Sequence, residues 1–287
     1  MTPSLHLAIP KGRMYEQVVR LLHDAGVDLK VGARAYRPAL SLAGFETKML
    51  KPQTIVDMLQ HGSRDLGFAG ADWVAEKNAD LVEVLDLGLD PVRLVAAAPR
   101  ELLVSGRLPT GRRWVVASEY QRLTEAWIKK TGIDAIFVRS HGATEVFPPE
   151  DADCIVDNTA TGATLVANGL EIFDTVMQSS TRLWANPVAW SDQGRRERIE
   201  HLAMLLRSVL DARSRVVLEL NVGAADLDRV IAVLPCMKHP TVSPLHGGQG
   251  FAVKVAVSRK LVPELIPLVL RLGGSDILVT APSQIIA

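Results

Sequence analysis

The sequence predicts an α/β protein in two parts, a large domain of two lobes facing a cleft and a small βαββαβ module after it. Three observations carry this. Short apolar runs alternate with amphipathic, helix-spaced segments through the N-terminal part, the pattern of helices covering a largely parallel sheet. The alternation breaks at the Pro-, Gly- and Arg-rich stretch 99–113 and then restarts. After a charged periodic helix over 193–211, the order of elements changes.

Taken in order, residues 5–9 form a short apolar strand, and after Pro10-Lys11-Gly12-Arg13 the run 14–25 sets Val18, Leu21 and Leu22 at helical spacing. Helices follow at 55–61 and 71–77, with strands at 65–69, 81–86 and 93–98. Beyond the crossover come a strand at 114–117, a helix at 119–130, strands at 133–139 and 153–157, and a helix at 161–168. The connector helix 193–211 carries Ile199, Leu202, Leu205, Leu206, Val209 and Leu210 on its periodic stripe. The tail then reads as strand 216–221, helix 226–234, strands 241–243 and 251–257, helix 261–272 and strand 275–280, the ferredoxin-like order. The expected division is a domain over 1–213, with lobes 1–98 plus 178–213 and 99–177, and a second domain over 214–287.

Composition narrows the function classes. Lys plus Arg and Asp plus Glu both number 32, so no global field attracts nucleic acid or an anionic membrane, and any anionic ligand must meet a local cluster. Hydrophobic residues at 48% and charged residues at 22% are those of an ordinary folded chain. Cys154 and Cys236 stand far apart and belong to no CxxC pair, so neither a disulfide framework nor a zinc site is expected and both read as small core residues. The first ten residues lack the pattern of a signal peptide, and the apolar run 261–272 is broken by Pro263, Glu264, Pro267 and Arg271. The expectation is a cytoplasmic protein with no membrane partner.

Ligands of open α/β sheets bind beyond the carboxyl ends of the strands, which directs attention to the loops after 9, 86, 117 and 157. The most informative segment runs from Asp153 to Leu165, where a strand ends at Asp157, a hydroxyl- and Gly-containing loop follows, and a helix begins near Gly162. Unpaired N–H groups there, with Thr161 and Thr164 hydroxyls beside them, suit a phosphate, and Asp157 at the edge suits ribose hydroxyls. The competing reading is that Thr159 or Thr161 simply caps the helix.

This segment resembles the phosphoribosyl-pyrophosphate loop of ATP phosphoribosyltransferases through Asp157, Thr161, Gly162, Thr164 and Leu165, with Asn168-Gly169-Leu170 as its tail. Three more segments resemble the same family: Ala8 to Met14; Leu50-Lys51-Pro52 followed by Asp65 to Asp72; and Leu85 to Gly88 with Arg93-Leu94. His141 to Glu145 is similar to its Gly-x-x-Glu element, and Leu234-Pro235 with Pro240 to Leu245 to the regulatory domain of its long form. The departures are Ala160 in place of Ser, Thr159 in place of an apolar residue, Lys51 in place of Arg, and Asp90-Pro91-Val92 before Arg93. Lys51 can neutralise a phosphate but not clamp it in a fixed plane.

The resemblance implies a periplasmic-binding-protein-like catalytic domain with an ACT-like regulatory module. It implies a transferase that condenses ATP with phosphoribosyl pyrophosphate at the start of histidine biosynthesis, uses Mg²⁺, is inhibited by histidine, and assembles from dimers into a hexamer. Lys11, Arg13, Lys51, Arg93 and Glu145 are its implied catalytic residues. Asp157, Asn158, Thr159, Ala160, Thr161, Gly162, Ala163 and Thr164 take the phosphoribosyl pyrophosphate; Gly12, Arg13 and Asp72 take the ATP; Thr241 lies near the effector. The cation rides on the pyrophosphate substrate, so no dedicated carboxylate cage is expected. Each of these charges has a bland counterpart, a solvated surface residue or, for Glu145, a first-turn helix carboxylate. Two other classes share the broad plan: a prephenate dehydratase-like enzyme, whose Thr-Arg-Phe signature is echoed by Ser180-Thr181-Arg182, and a non-enzymatic two-lobed ligand sensor.

Overall fold

A computed structural model describes residues 4–32, 36–235 and 239–286. The chain forms two compact units, one comprising residues up to His23 with Val27–Ala203, the other Asp24–Gly26 with Met204–Ala287; the division falls inside a long helix.

The first unit is built on an eight-stranded sheet. In chain order its elements are β1 (Leu5–Pro10), α1 (Arg13–Asp24), a short ribbon of β2 (Leu29–Lys30) and β3 (Ala39–Leu40), β4 (Phe45–Leu50), α2 (Pro52–Gln60), β5 (Leu66–Gly70), α3 (Ala71–Glu76) and β6 (Val82–Pro99). There follow β7 (Trp114–Ser118), α4 (Gln121–Thr131), β8 (Ala135–Arg139), β9 (Cys154–Thr159), α5 (Ala163–Ala167), β10 (Leu170–Ala185), α6 (Pro187–Ser191) and α7 (Gln193–Ser214). The sheet order is β4-β1-β5-β10-β6-β9-β7-β8. Two parallel triplets, β4-β1-β5 and β9-β7-β8, flank a long antiparallel pair. This is the two-lobed periplasmic-binding-protein-like plan, with one triplet per lobe.

Two expectations need correction. The sheet is mixed rather than largely parallel, because the chain crosses between lobes once in each direction, and the two crossing strands must run antiparallel. The strands expected at 81–86 and 93–98 are one 18-residue strand, β6. Gly88 (φ 61°) and Asp90 (φ 45°) bend it without ending it. Its partner β10 and the edge strand β4 had no counterpart in the sequence reading. The β6–β10 register shifts repeatedly, including between Ser179 and Thr181, where the strands leave one lobe for the other.

Helices cover both faces. α1 buries Met14, Val18, Leu21 and Leu22, each contributing roughly 1.5–3 kcal/mol of transfer free energy. In the first lobe Ile55, Val56 and Leu59 of α2 pack with Ala8, Ala69, Val74 and Trp184. In the second, Leu94, Ala96, Trp114, Val116, Tyr120, Trp127 and Val156 form the core, with Cys154 among them. Burial pushes the Cys154 thiol up to about 12, so it is an inert core group. Cys236 lies outside the described residues.

The second unit has the ferredoxin-like topology. β11 (Arg215–Val222), α8 (Leu227–Val233), β12 (Thr241–Pro244), β13 (Phe251–Ser258), α9 (Val262–Arg271) and β14 (Gly274–Thr280) form an antiparallel sheet of order β12-β13-β11-β14. Strict alternation in β11 buries Val216, Leu218, Leu220 and Val222 against Val230 of α8 and Leu265 and Val269 of α9. At Gly250 a methyl group would meet the Val222 carbonyl at 2.5 Å, so only glycine lets β13 begin there. Among the described residues no helix is long and apolar enough to cross a membrane.

Candidate functional site

The loops that close the strand ends bring most of the expected residues into two adjoining cavities of the first unit. β1 ends at Pro10 and the chain turns through Lys11 and Gly12 (φ 76°) into α1, whose first residue is Arg13. The Lys11 amide donates to the Leu50 carbonyl at 2.9 Å, tying this loop to the end of β4. The Lys11 ammonium stands 3.5 Å from the centre of the Tyr36 ring.

β5 delivers the chain to α3 through Gly70, where a methyl group would fall 2.1 Å from Asp72 Oδ1. The site therefore needs a bare backbone at that position. Asp72 is only 5% exposed, and both its carboxylate oxygens are engaged: Ser179 Oγ donates to Oδ1 at 2.7 Å and Tyr120 OH donates to Oδ2 at 2.7 Å. The Asp72 amide donates back to Ser179 Oγ at 3.0 Å. Tyr120 is fully buried, its hydroxyl also accepts from Asn158 Nδ2 at 3.0 Å, and Trp73 stacks on its ring at 4.6 Å. Burial, reinforced by the Asp72 charge, drives the Tyr120 pKa far upward, so the phenol stays a donor. Asp72 belongs to the first lobe and Tyr120 and Asn158 to the second, so this network crosses the cleft.

The first cavity, about 210 Å³, is lined by Lys11, Arg13, Asp72, Tyr120, Asn158 and Ser179 among others. The second, about 270 Å³, is lined by Arg13, Glu145 and Asp157 together with the loop from Asn158 to Thr161 and Thr164. Arg13 and Asn158 face both.

The loop of the second cavity differs from expectation. α5 is five residues long, not the eight read over 161–168, and Gly162 (φ 85°) precedes it in the left-handed region. The hydroxyls of Thr159 and Thr161 accept from the amides of Gly162 (2.9 Å) and Ala163 (3.3 Å), so both tie the loop to the start of α5, while both residues also line the cavity. Asp157 has its carboxyl pushed up to about 6 by burial, against the opposing pull of the Asn158 amide 2.7 Å away and with a further push from Glu145 and Glu119.

Six expected residues fall outside these linings: Gly162 and Ala163, at the start of α5, and Lys51, Arg93, Gly12 and Thr241. Lys51 is exposed at the N-cap of α2, next to Pro52, which does line the first cavity. Arg93 is half-buried on β6, paired in register with Thr159. Gly12 is exposed between Lys11 and Arg13, and Thr241 is exposed on the edge strand β12 of the second unit. Sequence reasoning missed Tyr120, Trp73 and Ser179. Only the Ser180-Thr181-Arg182 echo pointed near the last. In the structure Thr181 donates to Asp90 Oδ2 at 3.1 Å, and Arg182 reaches Glu83 at 2.6 Å and Asp86 at 3.4 Å. Asp90, one of the departing positions, lines the first cavity and also accepts from Gln17 at 3.0 Å.

The family model described as ATP phosphoribosyltransferase matches residues 51–208, and that described as the HisG C-terminal domain matches 212–282. The chain is 37% identical over 281 residues to an ATP phosphoribosyltransferase of Pelotomaculum thermopropionicum and 38% identical over 281 residues to one of Desulforudis audaxviator, covering 96% of this chain and 96% of the relative in both cases. A solved ATP phosphoribosyl transferase (HisG:HisZ) complex from Thermotoga maritima contains a chain 29% identical to it, with a TM-score of 0.63, covering 72% of this chain and 98% of that one. A family model over more than half the chain and relatives aligned nearly end to end establish that this chain belongs to the ATP phosphoribosyltransferase family, a group of pentosyl-transferring enzymes.

Proposed function

We propose that the chain joins ATP to phosphoribosyl pyrophosphate, giving N1-(5-phosphoribosyl)-ATP and pyrophosphate, the first step of histidine biosynthesis. The observation that carries this is the pair of cavities meeting at Arg13 and Asn158, one beside Lys11 and Asp72, the other formed by the loop from Asp157 to Thr164. Two polyanionic substrates need separate pockets that share a cation where their reacting ends meet.

In this reading the loop amides and the Thr161 and Thr164 hydroxyls take the 5-phosphate, and Asp157 accepts from the ribose hydroxyls. Lys11 and Arg13 neutralise the triphosphate and pyrophosphate by charge-assisted hydrogen bonds, with Lys51 at the lip and Arg93 behind the loop adding positive potential. Gly12 leaves the backbone clear for ATP beside Asp72. The adenine N1 lone pair forms a bond to C1 of the ribosyl group as the C1–O bond to pyrophosphate breaks, its electron pair leaving on the pyrophosphate oxygen. Positive charge that builds on the ribosyl ring is stabilised by Asp157 and Glu145. Positioning and leaving-group neutralisation supply most of the acceleration.

Asp157 and Glu145 face one cavity, and the Glu145 carboxylate adds to the upward push on the Asp157 carboxyl; the two are oxygen donors that would suit a divalent cation such as Mg²⁺. When bound, such an ion contributes neutralisation of the leaving pyrophosphate.

The wider proposal is a cytoplasmic enzyme with catalysis in 1–213 and histidine binding near Thr241 in 214–287. Histidine acts as feedback inhibitor, and dimers assemble into a hexamer. The test is pyrophosphate release from ATP, phosphoribosyl pyrophosphate and Mg²⁺, with and without histidine. Release that needs both substrates and falls with histidine supports the proposal; turnover of prephenate, or ligand binding without release, overturns it. Ser180 and Thr181 of the dehydratase echo line the first cavity, but Thr181 and Arg182 are engaged by carboxylates of β6, which accounts for them as residues that hold β6 to β10.

A further inference from the structure

α3 carries a second carboxylate one turn after Asp72, on the same helix face. Glu76 Oε1 accepts from the Arg122 amide at 3.0 Å, and Oε2 accepts from the Leu123 amide at 3.0 Å. Those amides belong to the first turn of α4, whose N-cap is Tyr120. In return the Arg122 guanidinium donates to the Ala75 carbonyl at 2.7 Å and to Asn78 Oδ1 at 2.9 Å, at the end of α3. First-turn amides have no partners within their own helix, and Glu76 supplies them here; the Ala75 carbonyl, which already accepts from the Asn78 amide at 3.1 Å, gains the Arg122 guanidinium as a further donor. α3 lies in the first lobe and α4 in the second, so the exchange spans the cleft.

We propose that Glu76 and Arg122 form a clasp that fixes the spacing of the two lobes and so holds Asp72 in register with Asn158, making Glu76 a positioning residue for phosphoribosyl transfer. The inference rests on the functional reading above. Glu76 lines neither cavity, so it has no part in holding substrate. Its effect is transmitted through two residues of backbone to Tyr120, whose hydroxyl touches both Asp72 and Asn158. A single cross-cleft hydrogen bond is a pivot. Asp72 and Glu76 together grip the start of α4 at two points and through charge-assisted bonds, which fixes rotation as well as distance.

The test uses full-length E76A and E76Q beside wild type, with three readouts: kcat, the dissociation constant of phosphoribosyl pyrophosphate alone, and amide hydrogen exchange at Tyr120, Arg122, Leu123 and Asn158. The expected result for E76A is a kcat lower by about ten- to a hundredfold, because a misplacement near 1 Å costs that much. The loop that takes the 5-phosphate lies in the second lobe and only the Lys11 and Arg13 contacts come from the first, so that dissociation constant rises by no more than about fivefold, less than kcat falls, while exchange at the four amides accelerates. E76Q retains one acceptor and falls between. A kcat within twofold of wild type overturns the proposal, as does a kcat loss that only tracks the folded fraction. If E76A does not fold, E76Q carries the same comparison. A wild type that releases no pyrophosphate sinks the functional reading instead, and the clasp is then judged on exchange: unchanged protection at Tyr120 and Asn158 in E76A overturns it, faster exchange supports it.

Discussion

Asp157 shows how one side chain ties stability to function. Its carboxyl titrates near 6 in the folded chain against an ordinary value of 3.8. The folded state therefore binds a proton more tightly than the unfolded state between those values, and stability contributed here falls as pH rises from about 4 to about 6. Two consequences follow. Asp157→Asn raises stability at pH 7 by about 2 kcal/mol, read as a shifted denaturant midpoint, while lowering kcat/KM for phosphoribosyl pyrophosphate at least about tenfold. The wild-type kcat/KM for that substrate falls as pH drops below about 6, because a neutral carboxylic acid accepts ribose hydroxyls poorly. A flat pH profile would remove Asp157 from the ribose site. Tyr120→Phe tests the neighbouring network: it leaves Asp72 Oδ2 and Asn158 Nδ2 without a shared partner in a buried site, at about 1–3 kcal/mol measured by urea unfolding.

At the scale of elements, the turn from β5 to α3 is the tightest constraint. Gly70 has an ordinary extended backbone (φ −69°), so its need for glycine is purely steric. Gly70→Ala forces Asp72 aside, and the expected result is a loss of about tenfold or more in kcat/KM for ATP with about 1–3 kcal/mol of destabilisation. An unchanged ATP response in a folded variant would place ATP elsewhere. The strands that cross between lobes matter equally, since β10 brings Ser179 to Asp72 over 107 residues of sequence.

At the scale of the whole molecule, the two units have separate cores, and the proposal above assigns catalysis to the first and histidine binding to the second. Thr241→Ala should leave pyrophosphate release near wild type while weakening inhibition by histidine; a dose–response curve for both proteins checks it, and an identical curve would move the effector away from β12.

The sequence by itself determined what depends on near neighbours. The strand-loop-helix at Lys11 to Arg13, the loop from Asp157 to Thr164 and the alternation of β11 are visible because a period or a short spacing encodes each of them. Only the tertiary structure decided what depends on distant neighbours. β10 reads poorly because its pairing residues lie some ninety positions away on β6, and Tyr120 looks like an ordinary helix-entry aromatic until Asp72, 48 residues earlier, accepts a hydrogen bond from its hydroxyl. It also trimmed α5 to five residues and set Arg13 between the two cavities. Local periodicity encodes which face of an element is buried; which buried faces meet across a cleft is decided by chain crossover and packing, which no short window of sequence contains.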